Sequence, residues 1–440
     1  MSKTKTNVEK TVITLILLSL SLVSCVGPLF NFSHAVSANH TVTKVGTGAL
    51  PQEDEDPVAQ GSNVYLGWTS SSGVFLDISH NNGSTFTLSQ IYNHPSSNIQ
   101  IASSPSHVYL TWSSGGTILS RGSSNNGSSF GNVITIGTGQ DAHISASKKF
   151  VYAAWSKNYV VYFRQSANYG KSFGPAVQVS QTNFFATEVQ IASDTNSAYV
   201  VWENASASYN LAPYRSVEEA TTHNGINFSV LTLMKSPTNV TNREPEVKVN
   251  SYGFIYVIWR TEKNPLTNNW MSVMFIARSE DGGNSFPLIE NITTYPGLAR
   301  EAKLETSGAE VYAVFRSFNW SQDSFNVFWV GSVNNGTSYS LPSQLSGTTG
   351  ISLNIPTEYF DPQIAVSNRT IEIIWDSNVS GTWQINWAKS TNYGSVWTLN
   401  LLQASPTILQ AQIVGQAKGN FYFLWTGSGS AIEYFSDLHN

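Results

Sequence analysis

Short apolar runs that end in an aromatic residue punctuate the chain. The first is Val64-Tyr65-Leu66-Gly67-Trp68, and equivalent runs end at Trp112, Trp155, Trp202, Trp259, Phe315, Trp375 and Trp425. Successive aromatics stand 44, 43, 47, 57, 56, 60 and 50 residues apart. Near-continuous Val, Ile, Tyr and Trp suit strands packed on both faces. No helical period is visible beyond the first 38 residues. A repeat of about 40 to 60 residues with several strands in each unit reads as the blade of a β-propeller.

Each unit reads as four strands. A first run such as Asp361-Pro362-Gln363-Ile364-Ala365-Val366 leads through the tight turn Ser367-Asn368-Arg369-Thr370 to the aromatic-ended second strand. A third strand, as in Phe275-Ile276-Ala277-Arg278, runs into a polar turn, and a fourth leaves it. The eighth unit stops after its third strand, Ala431-Ile432-Glu433-Tyr434-Phe435. The segment His40-Thr41-Val42-Thr43-Lys44-Val45 precedes the first unit and has no partner of its own. The pattern therefore predicts an all-β, eight-bladed propeller over residues 39–440, with the N-terminal segment closing the ring. Seven blades follow instead if a terminal unit is irregular.

The polar turns repeat as well. Ser279-Glu280-Asp281-Gly282-Gly283-Asn284-Ser285-Phe286 has six degenerate copies: Ser79 to Phe86, Ser123 to Phe130, Ser166 to Phe173, Thr221 to Phe228, Ser332 to Tyr339 and Ser390 to Trp397. Each has Gly at the fifth place and an aromatic at the eighth; the third is Asp once, Asn five times and His223 once. Gly fits a turn that needs positive φ, and Asp and Asn both bond back to nearby backbone N–H groups. The motif resembles the Asp-box of the BNR-repeat, sialidase-type β-propellers, and the resemblance covers nearly the whole chain after the first 38 residues. It implies a propeller in which these turns are structural. Sialidases of this superfamily use three arginines on the sugar carboxylate, a Tyr–Glu nucleophile and an Asp acid/base, with a Phe/Tyr-Arg-Ile-Pro motif at the first arginine. This chain has no Arg-Ile-Pro; Asn242-Arg243-Glu244-Pro245, in the fifth unit, is the nearest match.

Composition narrows the setting. Only 12% of residues are charged and 41% are apolar, which suits a turn-rich extracellular β protein. The formal charge of −5 offers no basic footprint for nucleic acid. Residues 1–38 read as an export signal, with Lys3, Lys5 and Lys10 before an apolar run and Val36-Ser37-Ala38 as cleavage site. The alternatives are lipidation at Cys25 in Leu22-Val23-Ser24-Cys25 or an uncleaved anchor, either of which would tether the protein to a membrane. Cys25 is the single cysteine, so no disulfide framework, thiolate metal site or cysteine nucleophile is expected beyond residue 38. Eleven Asn-x-Ser/Thr sequons between Asn39 and Asn378 offer glycosylation sites to an exported chain.

Candidate chemistry gathers on the propeller face opposite the polar turns, where the longest loops fall in the fourth to seventh units. Two sets of residues converge there. An acid opens the first strand of most units: Asp54 or Asp56, Asp141, Glu188, Glu244, Glu301 and Asp361, replaced by Asn98 and Ala411 in the second and eighth. These acids read either as a cation or acid/base pool or as repeated acceptors of backbone N–H bonds. The second set breaks the repeat. Arg243 and Arg300 precede two of the acids, and Arg260 and Arg316 follow two of the strand aromatics, taking four of the nine arginines. They read as a two-point clamp for carboxylates or as ion-pair partners of Glu203, Glu244, Glu301 and Asp376. Loop aromatics, Trp270 and Trp320 foremost, with Tyr209, Tyr214, Tyr295, Tyr359 and Trp383, would supply stacking surfaces for sugars. No histidine spacing marks a metal site, and no cofactor loop is evident. The expected function is a non-catalytic, secreted or cell-surface binding protein for a glycan or peptide. The alternatives are a sialidase-like exo-glycosidase acting on terminal acidic sugars and a purely structural envelope component.

Overall fold

The computed structural model describes residues 32–34, 43–47, 57–182, 184–206, 215–235, 240–263, 271–293, 297–319, 324–346, 351–352, 362–379, 382–405, 411–415, 419–426 and 431–438. Eight antiparallel sheets follow one another along the chain. Blade 5 shows the plan: Val240–Val249 is innermost, then Ile255–Lys263, Met271–Ser279 and Leu288–Asn291. The innermost strands touch one another in sequence, and that of blade 1 (Val58–Gln60) meets that of blade 8 (Ala411–Gly415), so the sheets form a closed ring.

Ring closure follows the sequence expectation. Thr43–Thr47 pairs antiparallel with Ala431–Asp437 and supplies the fourth strand of blade 8. Two segments add to the plan. Phe32–His34, inside the stretch read as an export signal, runs parallel to the outermost strand of blade 7, with Phe32 opposite Trp397. Ile351–Ser352 pairs with the third strand of blade 6.

Burial explains why blades, rather than single sheets, are the unit. The second strands are buried on both faces, as in Asn63–Ser70 and Ile255–Lys263. Their side chains fill clusters that each span two neighbouring blades. Tyr256, Ile258 and Met274 of blade 5 pack with Leu304, Val311 and Phe315 of blade 6. Val64, Leu66 and Trp68 of blade 1 pack with Tyr422, Leu424 and Tyr434 of blade 8. No blade can bury its apolar faces without both neighbours.

The polar turns fasten these contacts. In blade 1 the Ser79 hydroxyl donates to Asn81 Oδ1 (2.8 Å) and accepts from Gly83 N–H (2.9 Å), while Asn81 Oδ1 accepts from Thr85 N–H (2.9 Å). The turn then donates Asn82 N–H to Ser62 O of its own blade (2.9 Å). The same pattern returns around Ser123, Ser166, Ser332 and Ser390. Blade 4 corrects the expected alignment. There Thr222 and Asn224, not Thr221 and His223, take the two side-chain roles, and the turn is one residue shorter. Thr222 is also the residue that pairs with the start of the second strand, as Ser79 and Ser390 do in their blades.

The turn glycines face the preceding blade. A Cβ on Gly83 would lie 1.8 Å from Tyr434 Oη of blade 8, one on Gly336 would lie 2.8 Å from Tyr256 of blade 5, and one on Gly394 would lie 2.1 Å from Trp329 of blade 6. The eighth-place aromatics reach the same way: Phe86 packs edge-on against Tyr434 and Trp397 against Trp329. They wedge two blades together. Gly394→Ala therefore meets both a positive φ of 81° and a filled space, and a loss of roughly 3 kcal/mol is expected. Gly61→Ala, at φ 62° with open space around it, should lose only about 1 kcal/mol. Equilibrium denaturation of the two variants separates the close approach from the backbone effect.

Glu219, on the third strand of blade 4, is fully buried and forms no ion pair among the described residues; Thr221 Oγ1 donates to it at 2.6 Å. Burial pushes its carboxyl up to about 8, with the Thr221 bond opposing. The folded chain then keeps a proton that the unfolded chain releases above the ordinary carboxylate range, so this group's contribution to stability falls as pH rises toward 8. Glu219→Gln should flatten that slope and stabilise the protein at pH 8 relative to pH 4, read as the difference between variant and wild-type denaturation curves.

Candidate functional site

One irregularity recurs at the mouth of the channel opposite the polar turns. In blades 2 to 6 the innermost strand carries one extra residue as it enters the sheet: Arg243 pairs with Arg260 and Glu246 with Ile258, three steps against two. Equivalent shifts occur at Ser97/Gln100, Gln140/His143, Thr187/Gln190 and Arg300/Lys303. The first bulge residue in each is Asn98, Asp141, Glu188, Glu244 or Glu301, with φ of 52°, 51°, 51°, 54° and 51°. A left-handed conformation costs a non-glycine residue about 1 to 2 kcal/mol. The bulge turns the next residue inward: Ile99, Ala142 and Val189 are buried between blades. It also holds the acid at the mouth, where Glu188 and Glu244 are exposed. Asp141, Glu188, Glu244 and Glu301 thus share one repeated structural position, Asp54, Asp56 and Asp361 lie outside the described residues, and the inner strand of blade 8 has no such bulge at Ala411.

What differs between blades is the pair beside the bulge. The cross-strand partners are Ser97–Ser113 in blade 2 and Gln140–Ser156 in blade 3, then Thr187–Glu203, Arg243–Arg260 and Arg300–Arg316 in blades 4, 5 and 6. Two arginines directly opposite repel, and the bulge acids relieve two of them. Glu244 Oε1 lies 2.7 Å from Arg260, and Glu301 pairs with Arg316. Arg260 also meets the buried Glu262 at 3.1 Å. The buried Glu203 of blade 4 pairs with Arg215, accepts Glu244 N–H at 2.8 Å and lies 4.0 Å from Arg243 Nε. It therefore ties blade 4 to blade 5.

Arg300 is the exception. Among the described residues it forms no ion pair; its buried Nε, like that of Arg260, has no hydrogen-bond partner. Its proton affinity is lowered by burial and then by the Arg260 and Arg316 guanidiniums on either side, with Glu262 and Glu301 opposing. Glu244 is pushed up, by desolvation first and by Glu203 and Glu262 as lesser contributions, against the pull of Arg260 and Arg243. Its side chain is 42% exposed, so it is a carboxyl in a crowded recess that solvent still reaches.

Of the expected site residues, Arg243, Arg260, Arg300, Arg316, Glu203, Glu244 and Glu301 come together at blades 4 to 6, and Glu188 holds the bulge position of blade 4. Asp361, Trp270 and Trp320 lie outside the described residues, as do Tyr209, Tyr214, Tyr295 and Tyr359. Trp383, expected on a loop, is buried at 7% exposure on a strand opposite Asn378. Two members were not anticipated. Arg215 opens the third strand of blade 4, and Glu262 lies two residues beyond Arg260 on the same face of its strand, a period-two signal the sequence did carry. Among the described residues no group of three His, Cys, Asp or Glu is arranged to hold a metal ion.

No family model matches the chain, and no curated protein matches it either. Solved structures resemble it in fold. The polysaccharide lyase Uly1 is 9% identical with a TM-score of 0.50, over 78% of this chain and 91% of that one. A prolyl endopeptidase is 10% identical with a TM-score of 0.50, over 84% of this chain and 54% of that one. The neighbours also include the sialidase of Trypanosoma rangeli, 8% identical with a TM-score of 0.38, over 70% of this chain and 56% of that one. At these identities the likeness is one of fold alone.

The ion-pair geometry separates the two buried arginines by stability. Arg260→Met strands Glu262 in a buried site, and a loss of about 3 kcal/mol is expected. Arg300→Met removes a cation flanked by like charges and should change stability by less than about 0.5 kcal/mol or raise it. Denaturant titration of the two variants reads the difference.

Proposed function

We propose that this chain is an exported propeller of the Asp-box type that binds the carboxylate or sulfate of an acidic glycan at the mouth over blades 5 and 6, without turning it over. The observation that carries this reading is Arg300, a guanidinium held between Arg260 and Arg316 with no ion-pair partner among the described residues. A guanidinium placed there needs an anion, and its planar fork suits a carboxylate or sulfate. Arg260 and Arg316 are committed to Glu244 and Glu301, so they orient the seat and raise its potential more than they grip the ligand. The long loops and the aromatics expected on them, Trp270 and Trp320 among others, would stack on the sugar rings beside the anion.

A peptide carboxylate presents the same chemistry, and the loops decide between the two. The exo-glycosidase alternative uses the same seat, with Glu244 as the group closest in character to a general acid because its carboxyl is pushed up.

The test uses uronate-terminated, sialylated, sulfated and neutral oligosaccharides on the purified protein. Binding of acidic members only, weakened roughly 10-fold or more in Arg300→Ala and by added salt, supports the reading. Binding that ignores both the ligand's charge and Arg300 overturns it. Sugar release from the same panel would replace it with the glycosidase.

A further inference from the structure

Two other departures from the repeat meet on the opposite face, at the joint between blades 7 and 8. Three residues before the strand aromatic, seven blades carry a buried tyrosine: Tyr65, Tyr109, Tyr152, Tyr199, Tyr256, Tyr312 and Tyr422. Blade 7 has Glu372 there, fully buried. At the end of the third strand, seven blades carry the turn hydroxyl, as Ser390 does opposite Ile371. In blade 8, Asp437 takes the equivalent place opposite Phe421.

Lys389 joins the two. It is the cross-strand neighbour of Glu372. Its Nζ lies 3.3 Å from Glu372 Oε1 and contacts Asp437 Oδ2 directly. Glu372 stands beside Asp437 and accepts Trp387 Nε1–H at 3.0 Å. The Trp387 ring lies 5.8 Å from Nζ and packs against Phe423 and Phe435. Lys389 and Asp437 keep 18% and 20% of their side-chain surface exposed. One amine thus faces two carboxyl groups beside an aromatic wall, and the more buried carboxyl touches both partners.

We propose that Lys389 and Asp437 condense into an intramolecular isopeptide bond, with Glu372 as the catalytic proton shuttle. Proton transfer from the Lys389 ammonium to the Asp437 carboxylate leaves a neutral amine and a carboxylic acid. Nζ attacks Asp437 Cγ, forming the C–N bond and a tetrahedral oxyanion that the protonated Glu372 stabilises by donating a hydrogen bond. Glu372 then passes a proton to the departing hydroxyl and recovers one from the nitrogen. The Cγ–O bond breaks and water leaves. The sum is one ammonium and one carboxylate giving one amide and one water, with no oxidant or co-reactant. Burial raises the Glu372 carboxyl well above the ordinary carboxylate range, with Asp437 adding to the effect and Lys389 opposing, which favours the protonated form that the step uses. Holding amine and carboxyl in contact supplies the effective concentration that condensation needs, up to about 10⁵ M or more in well-oriented systems. The bond would lock blade 7 to blade 8.

Peptide mapping of the folded, unglycosylated full chain by mass spectrometry decides. A branched peptide joining Lys389 to Asp437, one water lighter than its two linear parts, is the expected result, with only linear peptides in Glu372→Gln and Lys389→Arg. Linear peptides alone in the folded wild type overturn the proposal. A branched peptide that persists undiminished in Glu372→Gln overturns the role given to Glu372. If either variant fails to fold, the wild-type map still decides whether the bond exists.

Discussion

The joint between a turn glycine and the aromatic of the blade before it is the contact on which the ring depends. Each Ser-x-Asn or Ser-x-Asp turn holds its glycine at positive φ, and the missing side chain leaves the space that Tyr434, Tyr256 or Trp329 fills from next door. The apolar clusters lie between blades, and at blades 1, 6 and 7 this contact closes them at the turn end. A blade cannot move without opening two cores. At the joint into blade 8, the Lys389 ammonium lies between the Glu372 and Asp437 carboxyls.

A rigid ring allows strain at its mouth. Five consecutive inner strands hold a non-glycine residue in the left-handed region, each at a bulge, and in blades 2 to 4 the bulge buries the following residue. The scaffold over-determines that conformation, which is the circumstance in which strained residues persist. Duplication alone produces the acids. Function is read from what varies beside them: serine, glutamine and threonine in blades 2 to 4 give way to paired arginines in blades 5 and 6. Two of those pairs' members are neutralised within their own blades. Arg300 forms no ion pair among the described residues, and the Arg260 and Arg316 guanidiniums act on it against Glu262 and Glu301.

Sequence periodicity made the ring legible because every blade solves the same packing problem with the same residues. Trp259 and its equivalents marked the second strands, and Gly283 and its equivalents marked the turns. The closing strand followed from counting, since blade 8 lacked one and Thr43–Thr47 had no other partner. The bulge was not legible. Glu244 and Glu301 looked like ordinary strand residues, and only the backbone shows that each sits at positive φ. The blade 4 turn was misaligned by one residue because Thr221 and Thr222 are chemically equal, and strand register alone chooses between them. The arginines were legible as a cluster. Which of them is paired was not, because pairing depends on side-chain direction across two blades, and a one-dimensional pattern carries none of that.

The most direct test of the anion seat is a crystal structure of the protein soaked with a small uronic acid. The account predicts the sugar carboxylate on the Arg300 guanidinium, with Arg260 and Arg316 still held by Glu244 and Glu301. A carboxylate bound elsewhere, or one of the chain's own acids found closed onto Arg300, would contradict it.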